Sequence, residues 1–225
     1  MRFAYDPYAI SISLNEGDTC ILYVENSNAY SNIVSDLYML ISHGEGEAAL
    51  YEGDISLDIK KSTDLILEPF SLDLNNRKIK SQLYQDIIEN VKDAYYDKYL
   101  NICNELHNFI GCITEGIHYS TAFECQVGLE ELLKICNVSM DYPCENVMER
   151  VSVYIKLMAR VCKIKVFFLV DVDRYANCTE LREIVKMAQY EKINLIMICS
   201  GTKTIEIKDF SHYILDESLC FWKAE

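Results

Sequence analysis

The chain has 225 residues, with 21 Lys+Arg against 35 Asp+Glu and a formal charge of −14, and its pI is near 4.7. Half of it is apolar and a quarter charged, a globular composition rather than a disordered one. The balance excludes a small basic protein that coats nucleic acid or anionic membrane over its whole surface, but not a local basic patch, because phosphate binding depends on where cations sit.

The length suits one sizeable domain, or one domain carrying an insertion. The longest apolar runs, Val166 to Val170 and Leu195 to Cys199, fall far short of the roughly 20 residues that span a membrane. The N-terminal stretch carries an acid at Asp6 and no apolar signal region. A chain this long does not need its ten cysteines as staples, so the reading is a soluble, cytoplasmic protein with reduced thiols and no membrane partner.

Charge is unevenly spread. Residues 1–58 hold ten acids and one base (Arg2), whereas residues 150–192 hold nine bases and five acids, so different faces are expected to meet different neighbours. In chain order, Cys20 to Val24 is β-prone, Glu25 to Asn28 is a polar turn, and Ile33, Leu37, Leu40 and Ile41 recur at helical spacing. Short strands are expected at Ala48–Tyr51, Ile55–Ile59 and Leu65–Leu67, before Pro69.

After Asn75-Asn76 the period changes. Ile79, Leu83, Ile87 and Val91 mark one helix face, and Ile102, Leu106, Phe109, Ile113 and Ile117 a second. A third helix runs through Leu129, Leu132, Leu133 and Cys136, and a fourth uses Val147, Val151, Tyr154, Met158 and Val161. Residues 75–162 therefore read as a helical block. Strands return at Lys165–Val170, apolar throughout as in a parallel strand buried on both faces. Asn177 with Glu180 fits a capping box opening a helix, and Asn194–Ser200 is a second buried strand. Strand, helix and strand of this length make a right-handed βαβ unit. The fold class is α/β, its sheet built from both ends of the chain and a helical block inserted between.

A strand–turn–helix start invites a test for a phosphate loop, which needs glycines, a Lys and a Ser/Thr. The turn Glu25-Asn26-Ser27-Asn28-Ala29-Tyr30 has no glycine, no lysine, and a carboxylate where phosphate would sit, so no ATP is expected. Asp171 and Asp173 stand where a Walker B carboxylate would, but without a phosphate partner they read as turn acids. There is no C-x-x-C; Cys103 with His107 is an isolated pair, and Cys112 and His118 are the nearest further zinc ligands, so a buried thiol and a partly exposed imidazole are the simpler reading. No hydrolase or metalloprotease motif occurs, and no catalytic residue is assigned. What remains is cationic. Arg77, Lys78 and Lys80 open a long helix, Lys156, Arg160 and Lys163 fall at i, i+4, i+7 on another, and Lys60 and Lys61 end a strand or hairpin. The three clusters are candidates for a phosphate-contacting surface, against the alternative of solvated helix faces.

Four stretches together, Leu14–Tyr38, Asp73–Tyr84, Leu132–Val172 and the run from Leu181 to Ile198 with its terminal His212–Glu217, resemble the short form of the type II-A CRISPR adaptation protein, the Csn-two family. The resemblance covers most of the chain, in order. It implies an α/β head related to P-loop ATPases but lacking the nucleotide site, here 1–74 and 163–225, and a helical leg, here 75–162. It further implies a non-enzymatic homotetrameric ring whose cation-lined hole takes linear double-stranded DNA through its ends. Such a ring acts in the acquisition of new spacers, alongside the CRISPR integrase complex and the effector nuclease. Calcium steadies rings of that family through carboxylates. The corresponding stretch here, His118 to Glu131, keeps only Glu124, Glu130 and Glu131, too few for calcium's six to eight oxygens without help, so calcium dependence is expected to be weakened or lost. Two other readings stand beside this one. The first is a divergent P-loop nucleotide hydrolase using Asp171 or Asp173. The second is a protein-binding scaffold whose acidic N-terminal third docks a basic partner.

Overall fold

A computed structural model describes residues 1–118, 122–123, 127–202 and 210–224, with 92–94 described by backbone alone. The chain divides into two units, Met1–Leu74 with Pro143–Glu225, and Asn75–Tyr142.

The first unit is built on two sheets. Strands β1 (Arg2–Tyr5), β2 (Ile10–Ser13), β4 (Ala48–Glu52) and β5 (Ile55–Ser56) form an antiparallel sheet in the order β2-β1-β4-β5. Strands β3 (Thr19–Val24), β6 (Thr63–Ile66), β7 (Val166–Val170), β8 (Asn194–Ser200), β9 (Ser211–Leu215) and β10 (Phe221–Ala224) form a larger one, ordered β10-β9-β3-β8-β7-β6. All its neighbours run parallel except β10, which is antiparallel to β9.

Alternation along the central strands explains the layers. Leu22, Val24, Phe168 and Ile198 share one core with Phe3 and Ile12 of the small sheet and with Ile33 and Leu37 of helix α1 (Ser27–His43). Phe3 and Phe168 meet edge to face, ring centroids 5.2 Å apart, a favoured aromatic geometry. The alternate residues Ile21, Tyr23, Phe167, Leu169 and Met197 are equally buried, as strands covered on both faces require.

Helix α2 (Ile59–Ser62) replaces the end of the strand expected at Ile55–Ile59. The Lys61 and Ser62 amides both donate to the Asp58 carbonyl, which closes a helical turn, and the Ile59 side chain is buried. Lys60 and Lys61 are thus on a helical turn rather than a hairpin.

Helix α6 (Val147–Cys162) groups with the first unit, although the sequence reading put it in the inserted block. Its apolar seam, Val151, Tyr154, Ile155 and Met158, is buried. Tyr154 donates to Asp64 Oδ2 at 2.8 Å and Arg150 to the Phe70 carbonyl at 3.2 Å. Helix α7 (Cys178–Glu191) packs along β8 and α6 along α7, and α7 opens with the capping box of Asn177 and Glu180.

The second unit is helical. It contains α3 (Arg77–Ala94), α4 (Tyr96–Glu115) and α5 (Leu129–Ile135). Tyr84 on α3 donates to the Val138 carbonyl, and Tyr99 on α4 to the Val127 carbonyl.

Candidate nucleic-acid interface

In an open α/β sheet the usual ligand crevice lies beyond the carboxyl ends of the parallel strands. Here that edge is filled by the chain itself. The Asn26 side chain accepts from the Asn28 and Ala29 amides at 3.1 and 3.0 Å, taking the helix N-terminal donors that would otherwise face an anion. Asp171, held at φ 49°, accepts from the Ser200 amide at 3.0 Å and pairs with Arg174 at 3.4 Å. Burial, and then Asp171, push the Tyr30 phenol well above its ordinary range. Burial, and then Asp173, do the same to the Cys199 thiol. Both acids are therefore built into the sheet edge.

The cations of the first unit gather at the opposite edge. Lys60 and Lys61 precede β6, Lys163 and Lys165 precede β7, and Lys192 precedes β8. Parallel register sets these positions side by side, with the Lys165 amide donating to the Ser62 carbonyl and the Asn194 amide to the Lys165 carbonyl. A cleft of about 290 Å³ opens here, lined among others by Arg160, Lys163, Lys165 and Lys192, with Glu16 and Glu191. Lys156 is exposed on α6, close enough to help hold the Glu191 carboxyl low, after the larger effect of Arg160.

Several of these charges have partners. Arg160 is forked onto Glu191, with Nε donating at 2.8 Å. Lys165 pairs with Glu52 at 3.0 Å, Lys192 with Glu16 at 3.5 Å and Lys61 with Asp58 at 3.5 Å. Lys163 Nζ donates to the Arg160 carbonyl at 2.8 Å. Lys165 and Lys192 were missed by reading helical stripes. The signal that would have found them is their place, one or two residues before each buried strand of the βαβ unit.

In the second unit Arg77, Lys78 and Lys80 occupy the first turn of α3, where cations oppose the helix dipole. Asn76 caps the turn, accepting from the Lys78 and Ile79 amides at 3.0 and 3.1 Å. Helix stability therefore does not explain this cluster, and Arg77 and Lys78 are exposed.

Of the three candidate calcium ligands, Glu124 lies outside the described residues. Glu130 is paired with Lys134 at 2.7 Å. The Glu131 carboxylate folds back over Gly128, where an added Cβ would lie 2.1 Å from Oε2. Among the described residues no three His, Cys, Asp or Glu side chains group as metal ligands. Cys103 donates to the Val127 carbonyl, and His107 lies against Phe123, ring centroids 5.0 Å apart.

The apolar face of α4 is present but uncovered. Leu100, Ile102, Phe109 and Ile113 are all exposed, Phe109 at 59%, and no described residue of that helix is buried. No described helix is long and apolar enough to cross a membrane.

A family model described as CRISPR-associated protein (Cas_Csn2) matches residues 41–219. Among solved structures, Stu0660 of Streptococcus thermophilus is similar in fold, with a TM-score of 0.60 at 14% identity, over 96% of this chain and 75% of that one. A putative ABC transporter ATP-binding protein from Pyrococcus furiosus gives a TM-score of 0.40 at 10% identity, over 92% of this chain and 88% of that one. Comparison with curated proteins gives no match.

Proposed function

The chain belongs to the CRISPR-associated Cas_Csn2 family, and from that premise we propose that it is a non-enzymatic ring protein that takes up the ends of linear double-stranded DNA. It serves the acquisition of new spacers in a type II-A CRISPR system, in the cytoplasm, alongside the integrase complex and the effector nuclease. The first unit is its P-loop-ATPase-like head, without a working nucleotide site, and the helical second unit belongs to its leg.

The observation that carries the DNA reading is the gathering of Arg160, Lys163, Lys165 and Lys192 around one cleft in a chain of net charge −14. Local cations displace counterions from phosphates whatever the total charge, and the acids elsewhere keep DNA off the remaining surface. On the same unit Lys60, Lys61 and Lys156 extend the contact, and Arg77, Lys78 and Lys80 make a separate phosphate-contacting cluster on the second unit. Self-association as a homotetramer is supported by the uncovered face of α4, where Ile102, Phe109 and Ile113 are exposed, since patches of this kind on soluble proteins mark interfaces. The capping of α1 by Asn26 favours a head that does not turn over nucleotide.

A mobility-shift assay of linear against covalently closed duplex, run with calcium or with chelator, tests the proposal. Linear DNA should bind with a steep salt dependence and the closed circle weakly, and chelator should change little. Charge reversal at Lys78 and Lys80, or at Lys163 and Lys165, should weaken binding uniformly across sequences. Equal affinity for circle and linear duplex would rule out threading.

A further inference from the structure

A cleft of about 720 Å³ lies on the first unit, between the turn after β1 and the exposed side of α1, and shares no lining residue with the cationic cleft. Its walls include Tyr5, Tyr8, Asp36, Met39, Glu45 and Glu47. Three of these six are acids, and Arg2 is the only Lys or Arg in residues 1–58; its guanidinium sits over Tyr51 instead. Asp36 Oδ2 accepts the Glu47 amide at 2.9 Å, which holds that carboxylate in place. Glu45 and Glu47 are exposed and have no ion pair among the described residues.

Acids alone would make only a solvated surface. The second observation is Tyr5. It is 4% exposed, it lines the cleft, and its hydroxyl has no hydrogen-bond partner among the described residues. The body of the side chain is buried while its oxygen opens into the cleft, so the bond the protein leaves unmade is available to a ligand. Burial, then Asp36, Tyr8 and Glu47, push its phenol up to about 12, so at neutral pH the hydroxyl keeps its proton and its oxygen is free to accept. Tyr8 stands beside it, ring centroids 5.7 Å apart and tilted by 45°, its own hydroxyl accepting from Asn32 at 2.8 Å. The cleft thus offers fixed acceptors at its floor, an aromatic ring at its side and carboxylates at its rim.

We propose that this cleft is a docking site for an arginine side chain on a basic segment of a partner protein. The guanidinium is the cation that matches these features together. Its planar fork donates to a carboxylate and a hydroxyl at once, its face stacks on Tyr8, and its stem lies along Met39. A lysine ammonium uses the same charge but neither the fork nor the stack. DNA is repelled by these acids, so the site is distinct from the phosphate-contacting edge and does not depend on it.

The test uses the full chain and a fluorescein-labelled twelve-residue Gly/Ser peptide carrying two arginines, read by fluorescence anisotropy at low salt. Its counterparts carry lysine or citrulline. The arginine peptide should bind saturably, the lysine peptide several-fold more weakly, and the uncharged citrulline peptide not measurably. Asp36→Asn should weaken binding about tenfold, as loss of a charge-assisted bond does, and Tyr5→Phe about fivefold. Tyr5→Phe breaks no intramolecular hydrogen bond, so it should fold as the parent does, and an unchanged melting temperature confirms this. Glu130→Gln with Glu131→Gln removes two acids elsewhere and should leave binding unchanged. The proposal is overturned if those distant substitutions weaken binding as much as Asp36→Asn, for the peptide then follows only net charge. It is equally overturned if Tyr5→Phe binds like the parent, if spermine competes as tightly as the peptide, or if no peptide binds.

Discussion

Arg160 and Glu191 form a forked ion pair across the α6–α7 contact, with the carboxylate side chain 9% exposed and the guanidinium side chain 61% exposed. The acid is fixed in the protein while the outer side of the cation faces solvent. A phosphate approaching this cleft therefore meets a charge already half neutralised. Removing the carboxylate charge while keeping its shape, by Glu191→Gln, should strengthen binding of linear duplex by about twofold to threefold, on the order of 0.5 kcal/mol for one exposed charge pair. Titrations at low salt read the gain, and high salt should erase it, because the screening length shrinks. Unchanged or weaker binding would mean that Arg160 does not reach phosphate.

The same pair sets a pH dependence. Arg160 is the main cause of the depression of the Glu191 carboxyl below its usual value. An acid with a lower pKa in the folded state than in the unfolded chain stabilises the fold above its unfolded value, about 4.3 for glutamate. That contribution is lost as pH falls through the lower folded value. Urea unfolding of the parent and of Glu191→Gln should show a constant difference from pH 7 to about pH 5, shrinking below about pH 4. A difference that persists undiminished in acid would deny the pair its role.

Lys163 and Lys192 close helices α6 and α7 in the left-handed conformation, at φ 59° and 58°. Glycine is the usual residue at such positions, because a side chain there crowds the backbone. The two lysines hold this conformation at a cost of about 1 kcal/mol each, and both line the cationic cleft. Lys163→Gly and Lys192→Gly should therefore raise stability while lowering affinity for DNA. For a chain of this size the gain corresponds to about 2–4 °C in melting temperature. Calorimetry and mobility shift on the same samples should move in opposite senses. If both fall together, the lysines act through the fold.

Much of this architecture is legible from period and capping alone. Strands β7 and β8 are uninterrupted apolar runs, and Asn177 with Glu180 announces α7, because each signal is local. Strands β1 and β2 were not foreseen, since Tyr5 to Tyr8 also reads as a turn and only pairing with β4, some forty residues on, makes β1 a central strand. For the same reason Lys156 and Arg160 are visible on one helix, with Lys163 just past its end rather than on the stripe, whereas Lys165 and Lys192 join them only through parallel register. Ion pairing is less legible still. Nothing near Arg160 in sequence marks Glu191, thirty-one residues away, as its partner.

Helix α4 carries the last consequence. Ile102, Phe109 and Ile113 recur at spacings of seven and four along it and are exposed at 49%, 59% and 49%. An apolar stripe of this kind costs solubility unless another surface covers it, and the proposed ring supplies one from a second copy of the chain. An acid placed on the stripe is harmless to an isolated helix, because exposed α4 positions make few contacts to lose, but it becomes a buried unpaired charge in an assembly. Phe109→Asp and Ile113→Asp should therefore leave the far-ultraviolet spectrum unchanged. Sedimentation should find a smaller particle than the parent's at equal concentration, and retention of linear DNA should fall with it. A parent that sediments as a monomer, or variants that assemble as the parent does, would remove α4 from the interface.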